Sequence, residues 1–147
     1  MKIARGYYIL KSKRLLLYTD GGARGNPGPA GIGVVILDDK KNKVKELYKY
    51  IGETTNNVAE YNAIIHGLEE ALLLKAKEVI VHLDSELVTR QLNGEYKVKD
   101  AGLKPLFEKA LSCLKSFDSF EIRHIERSKN KEADRLANKA INLSSLF

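Results

Sequence analysis

Partway along the chain the hydrophobic pattern changes period, and this restricts the possible folds more than any other feature. Up to about residue 52 the apolar residues sit as they do in strands. Arg14–Gly21 (RLLLYTDG) is a short apolar run that leads into a turn, and Ile32–Asp39 (IGVVILDD) is a second. Val44–Gly52 (VKELYKYIG) alternates apolar with polar residues, as a strand with one wet face does. GARGNPGPAG separates the first two, and so much Gly, Pro and Asn implies a tight connection. KKNK separates the second from the third. Three consecutive strands on short turns predict an antiparallel meander.

From Asn57 to Lys75 the period becomes helical, with Tyr61, Ile64, Ile65, Leu68, Ala71 and Leu72 on one face. Gly67 within that run predicts close packing against a neighbour. EVIVHLD (Glu78–Asp84) is short and mostly apolar, like a strand buried on both faces. A strand, a helix and a strand imply a right-handed crossover and parallel pairing. SELVTRQLNG reads as a short helix closed by Gly94. Leu103–Phe117 reads as a longer one, with Leu103, Leu106, Phe107, Ala110, Leu111 and Leu114 aligned. FEIRHIE alternates again, and NKEADRLANKAI forms a final helix. The predicted fold class is α/β, a mixed five-stranded sheet flanked by helices. Three antiparallel strands come first and parallel strands follow, in a single domain over residues 1–147. Within residues 1–13, GYYIL is either an extra edge strand or part of a basic arm.

Composition narrows the function classes. The 147 residues suffice for one core without disulfide staples. No apolar run approaches the roughly 18–20 residues a bilayer span requires, so no membrane partner is expected. MKIARGYYILKSKR lacks an apolar stretch followed by a small-residue cleavage site, and Cys113 is the only cysteine. Both favour a reducing, cytoplasmic setting, with Cys113 as a small apolar residue on a helix face. A monomer is expected. The net charge of +6 favours polyanionic partners.

Four carboxylates sit where elements begin or end. Asp20 closes the first strand, Glu60 lies in the first turn of the long helix, Asp84 ends the fourth strand, and Asp134 opens the last helix. Each has a structural explanation. Asn57-Val58-Ala59-Glu60 has the spacing of a capping box. Asp84 has the place of an N-cap, Asp20 that of a turn residue, and Asp134 suits a helix N-terminus. Together they point to metal binding. Adjacent first and fourth strands would aim Asp20 and Asp84 at one region, and clustered carboxylates repel unless a cation holds them. Oxygen ligands of this kind suit Mg²⁺ or Mn²⁺. Two such ions about 4 Å apart clamp a phosphodiester.

Four segments then bear a resemblance to a known family. YTDGGARGNPGPAG (Tyr18–Gly31), TTNNVAEYNAIIHGLEEAL (Thr54–Leu72), LDSELVTRQLNGEYKVK (Leu83–Lys99) and RSKNKEADRLAN (Arg127–Asn138) resemble, in order, the motifs of the ribonuclease HI family. The resemblance implies a ribonuclease H-like fold and an endonuclease that cuts the RNA strand of RNA–DNA hybrids. The products would carry 5′-phosphate and 3′-hydroxyl ends. Asp20 would bridge two metal ions, Glu60 and Asp84 would hold the one on the leaving-oxygen side, and Asp134 the one carrying the attacking water. Glu60 would also lie near the ribose 2′-hydroxyl, the group that distinguishes RNA from DNA.

The same resemblance places Asn26 and Asn57 in the minor groove, and Thr55 and Asn56 beside the DNA-strand phosphate. Asn26 is equally a turn residue. His124 stands ten residues before Asp134, as a proton-transfer or product-release histidine does in many members, and Arg127 is a candidate for the scissile phosphate. Against His124 stands the strand-like alternation of FEIRHIE. His66 and His82 read as structural. Two departures matter. Glu86 replaces a Gln of better-known members, and reads as a solvated helix residue. NGEYKVKDAGLKP, with Lys97, Lys99 and Lys104, replaces their basic, Trp-rich handle. The short form resembles compact archaeal-type members, which adds double-stranded RNA as a second candidate substrate. The main alternative is a catalytically idle nucleic-acid-binding module on the same fold. A 3′→5′ exonuclease is disfavoured because Gly21 and Gly22 follow Asp20, where an Asp-x-Glu pair is usual.

Overall fold

A computed structural model describes residues 14–146. The expectation for residues 1–13 lies outside the described residues. Strands β1 (Arg14–Ala23), β2 (Gly28–Asp38) and β3 (Lys43–Thr54) form the meander, and helix α1 (Asn56–Leu73) follows. Then come β4 (Glu78–Leu83), α2 (Glu86–Leu92), α3 (Lys104–Leu114), β5 (Ser119–His124), a 3₁₀ turn at Arg127–Lys129, and α4 (Lys131–Ser144). The sheet order is β3-β2-β1-β4-β5. β1–β2 and β2–β3 are antiparallel, whereas β1–β4 and β4–β5 are parallel. The expected mixed five-stranded sheet is therefore present.

The sheet divides two layers. On one face Leu15, Leu17, Val34, Ile36, Val79 and Val81 pack beneath Ile64, Ile65 and Leu68 of α1, with α3 adding Ala110 and Leu114. Burial of such side chains stabilises the fold by about 1.5–3 kcal/mol each. The tight fit at Gly67 follows from this layer. A Cβ there would sit 3.2 Å from both Leu17 Cδ2 and Val34 Cγ1. On the other face α4 lies across β2, β3 and β1. Among the described residues no helix is long and apolar enough to cross a membrane.

Three local readings change. β1 does not end at Asp20 but continues to Ala23, because β2 keeps pairing with it as far as Ala23↔Ala30. The N-cap of α1 is Thr55, whose hydroxyl accepts from the Val58 amide, so the Asn57–Glu60 capping box does not form. Glu60 falls in the second turn instead of the first. The N-cap of α2 is Ser85, not Asp84, with Ser85 Oγ accepting from the Val88 amide at 3.2 Å. In both helices a neighbouring hydroxyl caps the backbone, which releases the acid from that task.

Candidate active site

The site arises where two neighbouring strands end at different levels. Pairing between β1 and β4 stops at Tyr18↔His82, yet β1 runs on to Ala23 along β2. Asp20 therefore lies on a stretch of β1 with no β4 residue beside it. Asp84 directly follows the last residue of β4. α1 supplies Glu60 by crossing β1 at contact distance. A Cβ on Gly21 would lie 2.2 Å from the Ala59 carbonyl oxygen, so only glycine permits this approach. Gly33, the β2 partner of Asp20, does the same for α4, since a Cβ there would meet Ala133 O at 2.2 Å.

Carboxylate oxygens of Asp20, Glu60 and Asp84 come within 4.8 Å of one another. Asp134 lies near enough to Asp20 to add to the upward push on its carboxyl. All four line an open cavity of about 380 Å³, together with Asn56, Asn57, Ser85, Arg127 and Asn138. The four acids singled out in the sequence are thus brought together.

Their charges are poorly tolerated. Asp20 is 8% and Glu60 9% exposed. Burial, then the charges of Glu60 and Asp84, push Asp20 up from 3.8 to about 9. Burial, then Asp84, push Glu60 up to about 8, against the opposing donation from the Gly21 amide and the charge of Arg127. Full ionisation in this space requires a compensating cation. With all-oxygen donors and no histidine or cysteine in the cluster, the residues fit Mg²⁺ or Mn²⁺ and not zinc.

Asn130, within the Arg127–Asn138 segment but not among the candidate site residues, holds the site together. It is 2% exposed, and its Nδ2 donates to Thr19 O at 2.9 Å and to Asp84 Oδ2 at 3.2 Å. Among the described residues its buried Oδ1 meets no hydrogen-bond partner. Such an orphaned acceptor costs about 1–3 kcal/mol. The available signal was its place four residues before Asp134.

The other candidates divide. Asn26 Oδ1 accepts from the Asn56 amide at 3.0 Å, and Asn56 Oδ1 accepts from the Ala23 amide at 2.8 Å. With Thr55 as the helix cap, these three side chains tie the β1–β2 turn to the start of α1. Asn56 and Asn57 line the cavity; Asn26 and Thr55 are not among its lining residues. Arg127 lines it as well. His124 is exposed outside that lining, and its Nε2 lies 3.2 Å from the Asp84 carbonyl, to which it donates in the matching tautomer. His82 is buried, stacked on Tyr18 at 4.2 Å, with Nδ1 donating to Leu17 O, and so is structural as expected. Glu86 pairs with Arg90 one helical turn away and faces solvent. Lys97, Lys99 and Lys104 are exposed, and Cys113 is half-buried.

A family profile described as reverse transcriptase-like matches residues 18–140. A bifunctional protein of Mycobacterium tuberculosis is 41% identical over 133 residues, which cover 90% of this chain and 36% of that protein. The chain thus spans about a third of the length of that relative. A ribonuclease H of Pseudomonas putida is 34% identical over 139 residues, covering 85% of this chain and 91% of the relative. Among solved structures, LC11-RNase H1, described as in complex with an RNA/DNA hybrid, superposes with a TM-score of 0.84 at 50% identity. The match covers 88% of this chain and 98% of that one. Similarity of this extent, in sequence and in fold, assigns the chain to the ribonuclease H family as a type 1 member.

Proposed function

We propose that the chain is a metal-dependent endonuclease that hydrolyses the RNA strand of RNA–DNA hybrids, leaving 5′-phosphate and 3′-hydroxyl ends. The observation that carries this reading is the approach of Asp20, Glu60 and Asp84 to within 4.8 Å in a cavity open to solvent. A surface meant only to bind phosphates gains nothing from a cluster of acids. The hybrid that accompanies LC11-RNase H1 supports hybrid as the substrate.

In this reading Asp20, Glu60, Asp84 and Asp134 are both the metal ligands and the catalytic groups, for two Mg²⁺ or Mn²⁺ ions. Bound there, the ions supply Lewis acidity and lower the pKa of water for in-line displacement. The protein's own part is to hold four carboxylates close together against their repulsion. Asn57 and Asn56, on the cavity wall, offer amide groups to the minor groove of the hybrid, with Asn26 and Thr55 fixing that wall in place. Glu60 is the acid next to them, so the ribose 2′-hydroxyl falls to it. Arg127, which with Arg24 supplies the positive charge in the lining, is assigned to the scissile phosphate. His124, which contacts the Asp84 carbonyl, is assigned to proton transfer or product release. The lone Cys113 fits a reducing, cytoplasmic setting and the net charge of +6 a polyanionic partner; the enzyme is read as a monomer, and the short loop in place of the basic handle extends its substrates to double-stranded RNA.

The deciding experiment is cleavage of end-labelled hybrid, double-stranded RNA and double-stranded DNA of one sequence. Each is run with Mg²⁺, Mn²⁺ or EDTA, beside Asp20→Asn. Internal cuts in RNA alone, lost in EDTA and in the variant, are expected. Folded protein that binds hybrid but never cuts it would instead be a binding module.

A further inference from the structure

We propose that Asn130 is a positioning residue for Asp84, holding one carboxylate oxygen in place and leaving the other, with the charge the two share, to a divalent ion. The inference rests on reading the carboxylate cluster as a metal centre. Its basis is the place of the two hydrogen bonds. Thr19 is on β1 and Asp84 follows β4, and both lie just beyond Tyr18↔His82, the last pair of the ladder between those strands. Asn130 Nδ2 reaches both acceptors. One amide therefore replaces the ladder at the level where the strands part.

The orientation of that amide is determined by its surroundings. Exchanging its oxygen and nitrogen would set Oδ1 against two acceptors. A role confined to α4 does not explain it either, because the side chain makes no capping bond at the head of that helix. Among the described residues its Oδ1 meets no partner, and the bonds that the side chain makes there come from its donor half.

The chemistry of the donor also points to the metal. A lysine or arginine in this place would hold Asp84 too, but would neutralise it and compete with a cation. A neutral carboxamide orients the carboxylate without discharging it. Asn130 further links two of the acids. Its backbone carbonyl accepts from the Asp134 amide at 3.1 Å, so the residue that holds Asp84 also begins the turn that carries Asp134.

The test is Mn²⁺ binding to metal-free protein, followed by electron paramagnetic resonance of free Mn²⁺, with no substrate present. Circular dichroism in EDTA establishes folding at the assay temperature. Asn130→Ala is expected to weaken binding by roughly ten- to a hundredfold while remaining folded. Asn130→Ser, whose hydroxyl donates to only one acceptor, is expected to fall between alanine and wild type. Folded Asn130→Ala with wild-type Mn²⁺ affinity overturns the proposal. If the alanine variant does not fold, the serine variant decides by the same criterion. Hybrid cleavage by the wild type is run in parallel. A wild type that binds Mn²⁺ but does not cleave sinks the nuclease reading and leaves the clamp intact. A wild type that cleaves, beside an alanine variant of unchanged affinity, sinks the clamp alone. A wild type that neither binds Mn²⁺ nor cleaves overturns both, and one that cleaves without binding Mn²⁺ in the absence of substrate overturns the clamp alone.

Discussion

The same three elements build two very different regions a few residues apart. At one level β1, β4 and α1 contribute Leu17, Val81 and Ile64, all fully buried in the core. At the next they contribute Asp20, Asp84 and Glu60, which crowd into one cavity. Leu17 and Val81 are paired residues of a continuous ladder, with no room for solvent or an ion between them. Asp20 and Asp84 lie past the end of that ladder. The uneven ending of two parallel strands opens a space where a cation can hold the acids together, and the continuous ladder one level below leaves none.

Moving an acid down one level is the most direct way to break the comparison. Val81→Asp would put a lone carboxylate in the sealed core, and we expect a loss of at least about 4 kcal/mol. Urea denaturation would measure it. A loss below 1 kcal/mol would show that the two levels are not as distinct as their geometry suggests.

Removing the upper level should spare the fold and end the chemistry. Asp84→Asn is expected to slow single-turnover hybrid cleavage at least about a thousandfold, some 4 kcal/mol of the barrier. Retained activity would rule this acid out as an essential ligand.

The pH dependence sharpens the contrast. Asp20 has a folded pKa near 9 against 3.8 for the free group, so the metal-free folded state holds an extra proton between those values. That contribution to stability is complete below about pH 4 and is lost as pH rises through about 9. In EDTA, the melting temperature of the wild type should therefore fall relative to Asp20→Asn as pH is raised from 5 to 9. Each kcal/mol is worth roughly 3–5 °C in a domain of this size. Mg²⁺ should narrow the gap at the alkaline end. Parallel melting curves in EDTA would contradict the assigned shift.

Gly21→Ala tests the approach of α1 to β1. The added methyl would overlap the Ala59 carbonyl, and a loss of about 1–3 kcal/mol is expected, with weaker Mn²⁺ binding as Glu60 is displaced. The smallest effect belongs to the solvent side. Glu86→Gln removes only an exposed pair with Arg90, so stability should change by less than about 0.5 kcal/mol and cleavage should not change. A large drop in cleavage would bring Glu86 into the site after all.

Much of this was legible in the sequence because it is local. The switch from strand to helical period at Asn57, the turn at Gly25–Pro27 and the buried run at Val79–Leu83 each follow from neighbouring residues. The resemblance to ribonuclease HI named the four acids, and the structure brings all four to one cavity. Local reading failed where two local patterns competed. The Asn57–Glu60 spacing imitates a capping box, but the Thr55 hydroxyl takes the capping bond from the Val58 amide, while Asn26 holds the Asn56 amide. At α2 the Ser85 hydroxyl likewise takes the cap in place of Asp84.

The period of each element, the order of the elements and the acids stationed near their ends thus follow from spacing alone, through steric and hydrogen-bonding preferences that act within a few residues. That β1 outruns β4, that Gly21 and Gly33 let two helices close on Asp20, and that Asn130 joins Thr19 to Asp84 follow from long-range packing. Those partners are 111 and 46 residues from Asn130. The energy of such a contact depends on where the packed sheet and helices carry each group, and no local pattern records that position.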